Sequence, residues 1–138
     1  MIIYSQNVAS IAGNGKIESL GHKINAKGFQ FDLVCLQETA LKQKHLEKAS
    51  RILGYGPGKD NVFHDTADDT SNKGVTIILS RNHIFKNIKI VRSLSGTFII
   101  FNAKYKSKDF IYGGFYGHSG NCDAVSYTHL TLPTKRIV

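Results

Sequence analysis

The sequence predicts an α/β domain with mixed β-sheets and outer helices, and three observations carry that expectation. Asp32-Leu33-Val34-Cys35-Leu36-Gln37-Glu38-Thr39 holds an apolar, partly β-branched run, Leu33 to Gln37, that is too short for an ordinary helix. Such a run is the mark of a strand buried on both faces, as inside an α/β sheet. The residues around it alternate strand-like and helix-like periods. The second half offers strand-like runs joined by turns short enough for hairpins. Strand–helix alternation followed by hairpins is the pattern of a mixed sheet covered by helices.

Taken in order, Ile2-Ile3-Tyr4-Ser5-Gln6-Asn7-Val8 is the first strand, and Ala9 to Gly15 is a small-residue loop. Lys16 to Lys27 places Ile17, Leu20 and Ile24 at helical spacing, with Gly28 where a C-terminal stop belongs. Asp32 to Glu38 closes a βαβ-like unit, which brings Asn7 and Glu38 to the ends of two strands. Chemistry in α/β folds gathers at the C-terminal ends of strands, so Glu38 reads either as a site carboxylate or as a solvated loop acid. Helical spacing resumes from Leu41 to Leu53, and Gly54-Tyr55-Gly56-Pro57-Gly58 ends it.

Asp65 to Lys73 is polar and reads as a surface loop. Its aspartates, Asp65, Asp68 and Asp69, lack the spacing of a calcium loop, so solvated acids are the favoured reading. Gly74 to Leu79 is a further buried strand. Ile88 to Ser93, Thr97 to Tyr105 and Asp109 to Tyr116 follow as strands, with Ser95-Gly96 and Lys106-Ser107-Lys108 as hairpin turns.

With 138 residues, 41% of them hydrophobic, the chain suits one globular domain or a piece of one. No run approaches the length of a membrane-spanning helix, and no basic-then-apolar leader is expected. Cys35 and Cys122 make no metal-like spacing. A cysteine inside a buried strand suits a reduced, intracellular thiol. The formal charge of +8 favours polyanionic partners. Lys16, Lys23, Lys27, Lys42, Lys44, Lys48 and Arg51 fall on predicted outer helix faces, where solvated charge is the default.

The tail has another origin. Val125-Ser126-Tyr127-Thr128-His129-Leu130-Thr131-Leu132-Pro133-Thr134 translates, in one frame, a sequence resembling the transposon end and adapter of transposase-made sequencing libraries. The expectation is therefore a genuine segment over 1–124 and an adapter-derived artefact over 125–138, left out of fold reasoning. Removing Lys135 and Arg136 leaves 16 bases against 10 acids, or +6.

Four pieces in order resemble the endonuclease/exonuclease/phosphatase superfamily, and most nearly the endonuclease domain of non-LTR retrotransposon reverse transcriptases. Ser5-Gln6-Asn7-Val8 is similar to its first-strand motif. Asp32 to Thr39 is similar to its strand ending in Leu-Gln-Glu-Thr. Lys73-Gly74-Val75-Thr76-Ile77-Ile78-Leu79 resembles its glycine-led third strand. Phe115-Tyr116-Gly117-His118-Ser119 stands where many members have tyrosine followed by Ala-Pro-Asn, and the departure after Tyr116 leaves simple strand-end packing open for that residue.

The resemblance covers residues 1 to about 124, roughly the first half of the family's domain. It implies the N-terminal half of a four-layer α/β sandwich in which each half supplies one sheet. The first sheet's inner face should then be left bare and the piece poorly folded. It also implies a DNA endonuclease dependent on Mg²⁺, with Mn²⁺ as the alternative, and an intracellular setting with nuclear access. Glu38 would be the anionic metal ligand, and neutral Asn7 would stand beside it at the metal and orient a ligand or nucleophile. Tyr116 would hydrogen-bond a phosphate oxygen or tune a neighbouring acid. Hard cations with oxygen ligands suit phosphodiester hydrolysis because they neutralise charge on the reacting phosphorus group. The family's general base lies in later Asp-x-Asn and Asp-His pairs that this sequence lacks, and His118 does not match it. Two other readings compete. One is a phosphatase or phosphodiesterase of the same superfamily acting on lipid or inositol phosphates, and the other a non-catalytic nucleic-acid-binding α/β domain.

Overall fold

The computed structural model describes residues 1–54 and 61–117. Its strands are β1 (Ile3–Asn7), β2 (Leu33–Gln37), β3 (Val62–Asp65), β4 (Val75–Leu79), β5 (Phe85–Arg92), β6 (Phe98–Tyr105) and β7 (Lys108–Phe115). Two α-helices, α1 (Lys16–Ile24) and α2 (Leu46–Leu53), lie among the first four strands, and a 3₁₀ turn at Gln43–His45 leads into α2.

The strands form two sheets. The first has the order β1-β2-β4-β3. β1 and β2 run parallel, from Ile3 opposite Leu33 to Asn7 opposite Gln37. β4 is antiparallel to both β2 and β3, so the sheet is mixed as expected. The second is an antiparallel meander, β5-β6-β7.

Side-chain alternation distributes β2 and β4 between two cores. Leu33 and Cys35 of β2, with Val75, Ile77 and Leu79 of β4, face the second sheet and meet Phe85, Ile99, Phe101, Phe110 and Tyr112. Val34, Leu36 and Ile78 face the other way, onto Ile17 and Ile24 of α1 and Ala49 and Leu53 of α2. The described residues thus build three layers: helices, mixed sheet and antiparallel sheet. This is the α/β class read from the sequence. A fourth layer is not among the described residues.

The expectation of a bare inner face on the first sheet is corrected. The meander covers it, because β5 to β7 carry an apolar residue at alternate positions on the facing side. An aromatic cluster fills the join, with Phe85 edge-on to Phe101 at 5.1 Å and 5.3 Å from Phe110 between ring centroids.

Element bounds also shift. α1 ends at Ile24, where Asn25 N–H bonds back to Gly21, rather than at Lys27; the left-handed Gly28 lies beyond. The helix expected from Leu41 starts at Leu46, after the 3₁₀ turn. β3 was not legible as a strand, because its four residues Val-Phe-His-Asp show neither an apolar run nor clean alternation. β5 starts at Phe85 rather than Ile88, and a bulge between Lys86 and Lys89 breaks its period. The β6–β7 turn is the tight one expected, with Lys106 and Ser107 both left-handed (φ 51° and 66°), as a two-residue hairpin turn of the primed type requires. Residues 118–138, including His118, Cys122 and the tail expected over 125–138, lie outside the described residues.

Candidate functional site at the strand ends

After β1 the chain keeps company with the segment leaving β2. Val8 N–H donates to the Gln37 carbonyl at 3.0 Å, Ser10 N–H to the Glu38 carbonyl at 2.7 Å and Ile11 N–H to the Thr39 carbonyl at 2.9 Å. Asn7 therefore lies beside Gln37, one residue before Glu38. Its Oδ1 accepts the Ala9 N–H at 2.9 Å, an Asx turn that fixes the side chain at the mouth of the strand pair.

The backbone here is unusual. Ala9, Ser10, Glu38 and Ala40 all have positive φ, at 49°, 78°, 56° and 57°. Non-glycine residues avoid this region, and each such residue costs on the order of a kcal/mol unless its surroundings hold it. A concentration of four at two facing strand ends is the kind of local strain that clusters at functional sites.

What holds the Glu38 turn is visible. Thr39 is fully buried, and its N–H donates to the Gly74 carbonyl at 3.2 Å. Gly74 has φ 142°, and a Cβ there would lie 2.3 Å from Thr39 Oγ1, so only glycine fits. Gly74 N–H in turn donates to Gly96, in the loop joining β5 to β6. That loop is clamped by the buried carboxylate of Asp65, which accepts from Ser93 Oγ, from Leu94 N–H at 2.7 Å and from Gly96 N–H at 2.9 Å. Asp65 is therefore a structural acid, not a solvated one.

The same loop reaches Tyr116, whose N–H donates to the Thr97 carbonyl at 2.7 Å. Tyr116 is half-buried and packs on the core between the sheets. Two residues earlier, Gly114 lies so close to β2 that a Cβ would sit 2.5 Å from Cys35 Sγ. The structure thus places Asn7, Glu38 and Tyr116 at one end of the sandwich. Asn7 is paired with Gln37, the neighbour of Glu38, and Tyr116 is tied in through the Asp65-clamped loop and the β7–β2 contact.

Beneath them lies a polar thread that sequence reasoning did not pick out. Gln37 Nε2 donates to Ser5 Oγ at 2.7 Å and approaches Cys35 Sγ at 3.3 Å. Burial pushes the Cys35 thiol up to about 12, so it is a protonated, inert thiol at neutral pH. The Tyr112 hydroxyl faces Ser5 and Cys35, yet it is buried and meets hydrogen-bond geometry with no described atom. Burial raises its pKa too. The only sequence signal for this thread was the polar Gln37 ending an apolar strand.

The donor set fits a hard cation of Mg²⁺ type. Glu38 offers a partly exposed carboxylate and Asn7 an amide oxygen at the adjoining strand end, and such ions are held by one or two carboxylates while keeping most of their water. No three His, Cys, Asp or Glu side chains converge among the described residues, so a closed protein cage of the zinc kind is not built there.

A solved structure shares this architecture. An endonuclease/exonuclease/phosphatase family protein from Leptotrichia buccalis C-1013-b superposes with a TM-score of 0.57 at 18% sequence identity, over 89% of this chain and 56% of that one. The likeness is one of fold. This chain spans a little over half the length of that structure. No protein-family profile matches the chain, and no curated protein matches it either.

Proposed function

We propose that this chain is the N-terminal part of a metal-dependent phosphodiesterase of the endonuclease/exonuclease/phosphatase superfamily, and more narrowly of a DNA endonuclease of a non-LTR retrotransposon. The observation that carries the reading is Glu38. It ends the Leu-Gln-Glu-Thr strand in a strained left-handed turn beside Asn7, in a fold shared with a protein of that family. Glu38 and Asn7 would hold Mg²⁺, or Mn²⁺ in its place, and the cation would neutralise charge developing on a phosphodiester. Asn7, pinned by its bond to Ala9 N–H, orients without adding charge. Tyr116, held through Thr97, offers a hydroxyl for a phosphate oxygen or a neighbouring acid.

A metal ligand and a phosphate-binding hydroxyl do not activate water. A general base has to come from residues beyond these, so residues 1–124 alone are expected to be inactive. The substrate in this reading is DNA, and the setting is intracellular with access to the nucleus. No helix among the described residues is long and apolar enough to cross a membrane.

The test is plasmid nicking with Mg²⁺ by a protein that carries this segment together with the remainder of its domain. Glu38→Ala should lower the rate on the order of a hundredfold or more, with the far-ultraviolet dichroism unchanged. Unchanged nicking would return Glu38 to the role of a solvated turn acid.

A further inference from the structure

The opposite end of the second sheet carries charge that the Glu38 site does not use. On the face of this sheet turned away from the core, Lys86 and Lys104 stand directly opposite each other in the β5–β6 ladder. Two positions along β6, Asn102 stands opposite Lys89. Like charges directly opposed on one face are destabilising. The only acid between Arg81 and Phe110 is Asp109, paired with Lys104 at 2.5 Å with its side chain 77% exposed, which makes it a weak partner. Lys86, Lys89 and Lys106 form no ion pair among the described residues.

The surface is hollowed as well as charged. The bulge between Lys86 and Lys89, with Asn87 left-handed at φ 54°, bends β5 and re-aims its side chains. Two adjoining hollows result, of about 450 Å³ and 540 Å³. They share Asn87 and Lys104; one continues to Lys89, Asn102 and the acid Asp109, the other to Lys86 and Lys106. This end lies at the start of β7, whereas Tyr116 follows its finish, roughly 25 Å away at about 3.3 Å per residue.

We propose that this groove binds the phosphodiester backbone of single-stranded nucleic acid. Lys86 and Lys104 stand roughly 5 Å apart across the strands and Lys89 follows Lys86 roughly 7 Å along β5, with Asp109 beyond Lys104, a spacing of cations suited to a chain with one charge per nucleotide. Lysine is a compact point charge without a fixed fork of donors, so the contact tracks the backbone and reads no sequence. The amides of Asn87 and Asn102 supply neutral donors between the charges. A concave channel receives a strand, whereas a membrane surface calls for a flat or convex face with apolar side chains to insert. The site stands on its own residues, and binding is read without divalent cation. Failure at the groove therefore leaves the Glu38 reading untouched, and the converse holds.

The test uses the 138-residue chain and fluorescein-labelled dT20, followed by anisotropy across a salt series. Lys86→Gln/Lys89→Gln/Lys104→Gln should weaken binding at least tenfold. It should also flatten the slope of log affinity against log salt by about 2, at roughly 0.7 per lost single-strand contact. Lys16→Gln/Lys23→Gln/Lys27→Gln, which removes the same charge from α1 and its following turn, should change affinity less than threefold. Thermal melting reports whether the groove variant stays folded; should it not, Lys86→Gln alone, which relieves the opposed pair, is measured and should still lose affinity. Equal losses in the two triple variants, no loss in the groove variant, or a loss seen only with phosphatidylserine vesicles would each overturn the proposal.

Discussion

The two sheets differ in how they are covered, and the difference decides what each can do. The first sheet's two central strands are walled on both sides, while its edge strand β1 is exposed at four of five positions. β2 is buried over Leu33 to Leu36 and β4 over all five residues, between the helices and the meander. Among the described residues the second sheet is covered on one side only, so β6 and β7 alternate buried with exposed positions, and Val91 and Ile111 stand 57% and 46% exposed. A strand sealed on both faces has only its ends free for chemistry, and Glu38 follows the end of one, beside the exposed edge strand that ends in Asn7. The outward face of the second sheet carries the lysine groove.

The join between the two sheets should behave as a true core. Phe101 sits on the inner face of β6, fully buried, touching Phe85 and Phe110. Phe101→Ala should destabilise the chain by about 3–5 kcal/mol, the loss usual for a buried aromatic truncated to a cavity. Urea unfolding followed by dichroism checks it. A loss under about 1 kcal/mol would mean that the meander only leans on the first sheet.

The helix-side wall of the first sheet holds a titratable group. His64 of β3 lies between Ser50 of α2, at 3.2 Å, and Thr76 of β4, at 2.8 Å. Burial, then the nearby Arg92 charge, lowers its pKa to about 4. Between about 6.5 and about 4 the unfolded chain takes up a proton that the folded chain refuses, so this stability is whole above pH 6.5 and is lost as pH falls toward 4. The loss should approach about 3 kcal/mol at pH 4, on the order of 1.4 kcal/mol per unit. His64→Gln should lose less over the same interval in parallel urea titrations at pH 7, 5.5 and 4. Equal acid losses in the two proteins would show that His64 is protonated in the fold.

How legible each sheet was follows from the same coverage. Burial on both faces makes an unbroken apolar run, so β2 and β4 stood out in the sequence, and with them the strand end carrying Glu38. The second sheet showed as strands and turns, but nothing in its sequence said which strand lay on which sheet. Its docking onto β2 and β4 depends on contacts such as Gly114 with Cys35, 79 residues apart, which local pattern does not encode. Asp65 was missed for the same reason. Its partners Ser93, Leu94 and Gly96 are 28 to 31 residues distant, so it read as a loop acid among other loop acids. The bulge at Asn87 escaped because an inserted residue breaks the period-two pattern that reveals a strand.

Ile111 faces outward from β7, opposite Asn102 and 46% exposed, in a row with Lys89 rather than against the aromatic core. Half-exposed side chains that fill no cavity contribute little, and threonine keeps the β-branch that suits a strand. Ile111→Thr in the 138-residue chain should therefore move stability by less than about 0.5 kcal/mol, against the several kcal/mol expected of Phe101→Ala one strand away on the opposite face. A loss above about 1.5 kcal/mol would mean that something packs on the outward face in solution. Measuring that loss at two protein concentrations a hundredfold apart then separates the causes. A second copy of the chain would make it concentration-dependent, whereas a segment of the same chain would not.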